Sequence, residues 1–193
     1  VDPSNPAFSV QIATAARELK QGDLAALGRL YDLTAGRLMR YAESLTHQFT
    51  DAEDALQGAM VRIAGRPELL AQADLPWAYF IRIVRNEALK IVARRKPEQA
   101  VDVQSAEGWA SQESTVERIA EHEESVASVR KALQRLPAEQ AEVVVLKIWE
   151  GMTFAEIAVV TGESANTVAS RYRYALQKLS RSLESIAGEV TYD

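Results

Sequence analysis

Apolar residues along this chain recur at steps of three and four, and strand-like alternation is absent. That spacing predicts helices nearly throughout, because positions three and four apart share one helical face. Ala13 to Leu19 and Leu24 to Leu33 carry the pattern, with Gly22-Asp23 as the break, and Arg37 to Leu45 continues it. Thr50-Asp51-Ala52-Glu53 has capping-box spacing and predicts a helix to about Ala64, stopped by Gly65-Arg66-Pro67. Residues 65–75 are expected to form a loop. Pro76 suits the first turn of a long helix to about Arg95, with Trp77, Ile81, Val84, Ala88 and Ile91 as its buried stripe.

Pro97 ends that helix, and residues 97–113 show no strong period. Ser114-x-x-Glu117 is a second capping box. Pro137 opens a helix to about Trp149, with Gly151 as its expected C-cap. Thr153-x-x-Glu156 is a third box, Gly162 makes a turn, and Ser164 caps a last helix that buries Val168, Tyr172, Ala175, Leu179 and Leu183. Helix, tight turn and a final basic helix make a helix-turn-helix, which places its second helix in the major groove of DNA. The expected fold is therefore all-α: two helical domains, residues 1–96 and 129–193, joined by a flexible acidic linker over 97–128.

Charge sharpens this division. The net charge of −5 argues superficially against nucleic acid. Residues 97–128, however, hold eight acids and one base, so the acidity sits in the middle and the flanks are free to meet an anion. The absence of cysteine excludes a disulfide framework, a thiol nucleophile and a thiolate metal site. No apolar run reaches the roughly 18 residues of a membrane span, and no signal-peptide pattern opens the chain. A cytoplasmic chain without membrane insertion is expected.

Two helices carry candidate chemistry. On the last, Asn166 and Thr167 occupy the first turn, followed by Ser170, Arg171 and Arg173, with no acid from Asn166 to Arg181. Arginine grips a guanine edge with two hydrogen bonds and asparagine an adenine edge. The bland alternative is a solvated basic helix in a bundle. On the helix after Pro76, Arg82, Asn86, Lys90 and Arg94 recur every fourth residue, with Arg85 beside them and Glu87 as the sole acid. Trp77, Tyr79 and Phe80 stand at its start. Positive charge beside aromatics suits unstacked single-stranded DNA, although Trp77 and Phe80 also fit a plain core role. Asp51, Glu53, Asp54 and Gln57 at a helix start suit a protein partner or simply the helix dipole. His47 and His122 are isolated and read as surface or cap residues, and no phosphate loop or carboxylate pair points to an enzyme.

Taken in order, these stretches resemble a bacterial sigma factor of the extracytoplasmic-function type, the minimal two-domain group of the sigma-70 family. Leu30-Tyr31-Asp32, Tyr41-Ala42, Asp51 to Gln57 and Ala78 to Ala88 resemble sigma domain two. Leu133 to Pro137 and onward to Leu179 resembles domain four. The resemblance implies that Asn166, Thr167, Ser170, Arg171 and Arg173 read the −35 element. It implies that Arg82, Arg85, Asn86, Lys90 and Arg94 act at −10, and that Asp51, Glu53, Asp54 and Gln57 dock on core RNA polymerase. It further implies a flipped −10 base held by residues 65–76 and an acidic linker threaded toward the polymerase active-site cleft. No cofactor is expected, and a metal site at Asp51 to Gln57 is a poor fit, because that helix has no histidine and an oxygen-only site needs more converging ligands. The implied partners are bacterial core polymerase, promoter DNA and an anti-sigma factor, with a monomer when free. Gly58 stands where the family usually has Glu, Met60 where it often has Phe, and Ala169 where a basic residue is common. A sigma-like decoy and a simple operator-binding regulator are the alternatives.

Overall fold

A computed structural model describes residues 6–95, 132, 133 and 135–190. Among them every regular element is helical: α1 (Pro6–Lys20), α2 (Ala25–Thr46), α3 (Phe49–Gly65), α4 (Glu68–Ala71), α5 (Pro76–Arg94), α6 (Ala138–Ile148), α7 (Phe154–Thr161) and α8 (Ala165–Val190). The all-α expectation holds. The linker, Ser114-x-x-Glu117 and His122 lie outside the described residues.

The first five helices form one bundle. Helix α2 packs on α1, α3 and α5, and α3 packs on α5. The stripe foreseen on α5 is buried through Trp77, Ile81, Val84 and Ala88, while Ile91 is half-buried. Phe8, Ile12, Leu30, Leu38, Tyr41 and Ile63 close the core from the other helices. Helix α2 ends at His47, which sits at φ 57° with its N–H donated to the Glu43 carbonyl, a left-handed C-cap as the sequence suggested.

Two local expectations are corrected. The helix after His47 starts at Phe49, with Gln48 as the extended N-cap residue, so Thr50 is not its cap. No side chain caps this helix start; Thr46 braces the entry instead, its hydroxyl donating to the Gln48 carbonyl at 3.0 Å. Residues 65–75 are not all loop either. Glu68–Ala71 makes a short helical turn, because Leu70 is fully buried and α4 rests on α1.

The C-terminal helices follow their signals closely. Thr153 accepts from the Glu156 amide while Glu156 accepts from the Thr153 amide, a complete capping box on α7. Gly162 ends α7 at φ 77°, a left-handed cap that a side chain would strain. Ser164 then accepts from the Thr167 amide at 3.1 Å and starts α8. One signal is displaced: the C-cap of α6 is Trp149, in right-handed backbone, not Gly151, which follows at φ 63° in the corner before Met152. Val168 and Ala175 are buried, with Tyr172 and Leu179 half-buried.

The two helical groups touch. Helix α7 packs on α5 and α6 packs on α2. A single apolar cluster runs from Phe8 and Ile12 through Phe80 and Val84 to Leu146, Met152, Ile157 and Val168. No helix among the described residues is long and apolar enough to cross a membrane.

Candidate nucleic-acid interface

The helix-turn-helix is α7, Gly162-Glu163 and α8. The opening turn of α8 leaves Asn166 exposed and Thr167 half-buried. The left-handed glycine and the Ser164 cap fix the direction in which this turn leaves α7. Free amides at a helix start favour a phosphate. Ser170 and Arg171 are half-buried one turn on, and Arg173 is exposed with its guanidinium over the Tyr174 ring at 5.5 Å. Arg171 donates to Glu163 at 3.1 Å and lies 2.9 Å from Glu139, both solvent-exposed carboxylates.

The second surface is the outer stripe of α5. Arg82, Asn86, Lys90 and Arg94 are all exposed on it, as their four-residue spacing required. Lys90 donates to Glu87 at 2.9 Å. Arg85 departs from the expectation of a solvent-facing contact. Its Nε and Nη2 donate to the two oxygens of Glu142 at 2.6 and 3.1 Å, a forked pair across the two helical groups. Glu142 Oε1 also accepts from the Tyr41 hydroxyl at 2.7 Å.

Trp77 and Phe80 belong to the core, not to a stacking platform. Trp77 meets Phe8 and Phe80 edge-on at 5.0 and 6.4 Å, and the Arg37 guanidinium lies 5.1 Å from its ring. Tyr79 alone of the three is half-exposed.

On α3, Glu53, Asp54 and Gln57 form one exposed face. Asp51 turns away from it and pairs with Arg95, which also donates to the Thr46 carbonyl at 2.9 Å. Asp51 therefore ties the start of α3 to the end of α5. Gly58 is half-buried on this helix. A Cβ there would meet Glu87 Cγ at 3.5 Å, an ordinary contact.

Sequence reasoning missed the buried polar contacts between the groups. Besides the Arg85–Glu142–Tyr41 cluster, Arg37 donates from Nε and Nη2 to Glu150 Oε2 at 3.0 and 2.6 Å. Burial pushes the Tyr41 hydroxyl well above the ordinary phenol range, and the Glu142 charge adds to this. Burial opposes charge on Arg85, yet the hydrogen bond and charge of Glu142 prevail and raise its affinity for the proton. The Glu150 carboxyl is raised because burial outweighs Arg37 and Arg40. Among the described residues no group of three or more His, Asp or Glu is placed to hold a metal.

The sigma-70 region 2 model matches residues 30–98, and the sigma-70 region 4 model matches residues 127–179. The chain is 36% identical over 148 residues to an RNA polymerase sigma-E factor of Streptomyces avermitilis, covering 77% of this chain and 79% of that protein. The chain belongs to the extracytoplasmic-function group of the sigma-70 family. A second relative is the ECF RNA polymerase sigma factor SigL of Mycobacterium tuberculosis, 30% identical over 169 residues and covering 85% and 92% of the two chains. Sigma factors act in transcription initiation and are regulators rather than enzymes. Two solved structures share the fold: CnrH in complex with the cytosolic domain of CnrY, and the sigma factor RpoE in complex with the anti-sigma factor NepR from Bartonella quintana. Their TM-scores are 0.67 and 0.62 at 23% and 24% identity. They cover 91% and 87% of this chain and 98% of each structure's own chain.

Proposed function

We propose that this sigma factor binds core RNA polymerase, recognises −35 and −10 promoter elements, and opens the DNA at the −10 element. The observation that carries the reading is the pair of exposed polar stripes, one on each half: Asn166 with Arg173 on α8, and Arg82, Asn86, Lys90 and Arg94 on α5. A decoy or a plain operator-binding regulator has no use for both. Residues 129–193 serve the −35 duplex and residues 1–96 the polymerase and the −10 strand, with 97–128 as the tether between them. Thr167, Ser170 and Arg171 complete the −35 face, and Arg85 joins the −10 face once released from Glu142. Glu53, Asp54 and Gln57 supply the polymerase contact, with Asp51 holding their helix in place. An anti-sigma factor is a further partner, as in the RpoE and NepR complex. The chain works in the cytoplasm without a cofactor, as a monomer when free.

Run-off transcription with purified bacterial core polymerase tests this directly, using the DNA upstream of this protein's own gene as template. The expected result is a discrete transcript that requires the protein and is lost with Arg171→Ala. Failure of a polymerase pull-down from the same mixture overturns the reading. Asn86→Ala or Lys90→Ala is expected to weaken permanganate reactivity of the −10 strand more than it weakens duplex binding. An open-complex footprint identical to wild type removes those two residues from the −10 role.

A further inference from the structure

Helix α8 carries no acid from Asn166 to Arg181, yet two carboxylates meet its Arg171. Glu139 comes from the first turn of α6, and Glu163 from the turn that leads into α8. Both reach the same nitrogen: Nη2 donates to Glu163 at 3.1 Å and lies 2.9 Å from Glu139. Stability does not account for this convergence. Both acids are solvent-exposed, and exposed ion pairs contribute little. Affinity for DNA does not account for it either, because an acid beside a DNA-facing arginine repels the phosphate backbone.

The nitrogen they hold decides their effect. A guanidinium grips a base edge or a phosphate through two parallel N–H donors. Nη2 belongs to both of those forks, with Nε on one side and Nη1 at the end. A forked partner must therefore push the acids aside before it can seat. The displaced carboxylates stay tethered a few Å away, inside the Debye length of about 8 Å at physiological salt. A phosphate is an anion and is repelled by both. A guanine edge is neutral, accepts the same two hydrogen bonds, and meets no such repulsion. Glu163 adds a second obstacle. It stands one residue before the Ser164 cap, so its charge competes with phosphate for the positive start of α8.

We infer that Glu139 and Glu163 set the selectivity of the recognition helix: they bar Arg171 from the phosphate backbone and reserve it for a neutral base edge of the −35 duplex. They are positioning residues, since they act through Arg171 and touch no base themselves. Selectivity of this kind comes from weakening the wrong partner, at some loss of total affinity. Core polymerase contacts elsewhere on the promoter offset that loss. The inference rests on the −35 reading of Arg171.

Holoenzyme assembled from the full chain and core polymerase is titrated with two duplexes of equal length. One is the DNA upstream of this protein's own gene, and the other is a scrambled sequence of the same composition. Glu139→Gln with Glu163→Gln is expected to raise affinity for the scrambled duplex about tenfold and for the promoter duplex less than about threefold. On the scrambled duplex, the slope of log K against log salt is expected to steepen by about 0.9, the signature of one added phosphate contact. Removing two negative charges also strengthens DNA binding in general. The same pair of substitutions in an Arg171→Ala background isolates that general effect, and there the slope and the ratio are expected to stay put. Glu163→Asp retains the charge and is expected to keep the wild-type preference. If the double variant folds poorly by circular dichroism, Glu163→Gln alone carries the test, with a smaller shift in the same direction. Equal gains on the two duplexes, or a change in ratio that persists without Arg171, overturn the inference. Wild-type holoenzyme that binds both duplexes alike strikes the −35 reading and the inference with it, whereas a wild-type preference that the glutamines leave unchanged strikes the inference alone.

Discussion

Helices α5 and α8 are both basic and both amphipathic, yet they spend their arginines differently. On α5, Arg85 is pinned by Glu142, a carboxylate that is itself 6% exposed. On α8, Arg171 leans on Glu139 and Glu163, whose side chains are 67% and 41% exposed. Losing one partner of a buried pair costs about 3–5 kcal/mol, whereas exposed pairs contribute roughly 0–1 kcal/mol. Arg171 can therefore exchange its carboxylates for a base edge at little cost. Arg85 cannot, and whatever frees it must compensate the whole contact between the halves. The same residue type is loosely held on one helix and fastened on the other, and burial of the partner makes the difference.

Breaking the stronger side gives the largest expected effect. Glu142→Ala leaves Arg85 and the Tyr41 hydroxyl without their acceptor and is expected to lower stability to denaturant by about 3 kcal/mol or more. Glu139→Ala, its counterpart at Arg171, is expected to stay within about 1 kcal/mol. Equal losses from the two would erase the contrast. Next comes Arg171→Ala, expected to cost about 1–3 kcal/mol of discrimination at one −35 position with little change in melting temperature. Competition binding with single-base −35 variants reads this out, and a uniform loss across all of them would make Arg171 a phosphate contact instead. Thr153→Ala removes the N-cap of α7 and is expected to cost about 1 kcal/mol, measured by thermal unfolding.

The smallest effect is a pH dependence. Burial raises the Glu150 carboxyl above its ordinary range, so the folded state favours its protonated form. Its contribution is then fully present below that ordinary range and is lost as pH rises through the raised value. Glu150→Gln copies the protonated form and escapes the loss. Its stability relative to wild type should therefore climb as pH rises out of the carboxylate range. Parallel stability curves for the two proteins would refute this.

Local signals were legible in the sequence and distant ones were not. Thr153 with Glu156, Gly162 and Ser164 each act within one turn of helix, so their spacing marks them. The four-residue recurrence from Arg82 to Arg94 likewise placed those side chains on one exposed stripe. Thr50-x-x-Glu53 has the same spacing as a true capping box but lies inside a helix that begins at Phe49, because spacing alone does not say where the chain first turns helical. Trp77 and Phe80 fitted either a core or a stacking surface, and packing against Phe8 decided for the core. Tyr41 and Glu142 are 101 positions apart, and Arg37 and Glu150 are 113. No periodicity connects residues at that separation. Glu142, set against the valines that follow it, reads locally as one more solvated acid.

Gly58 lies on α3, and the side chain that a Cβ there would meet most closely is Glu87 of α5. Glu87 in turn holds Lys90 and reaches Arg62. A single carboxylate thus forms the partition between the acidic face of α3 and the basic stripe of α5. Lys90 and Arg62 are 50% and 46% exposed, so water screens both pairs and each contributes little alone. What the arrangement supplies is sharing: one carboxylate serves a cation from each helix, so a cation drawn off α3 leaves Glu87 to Lys90 alone.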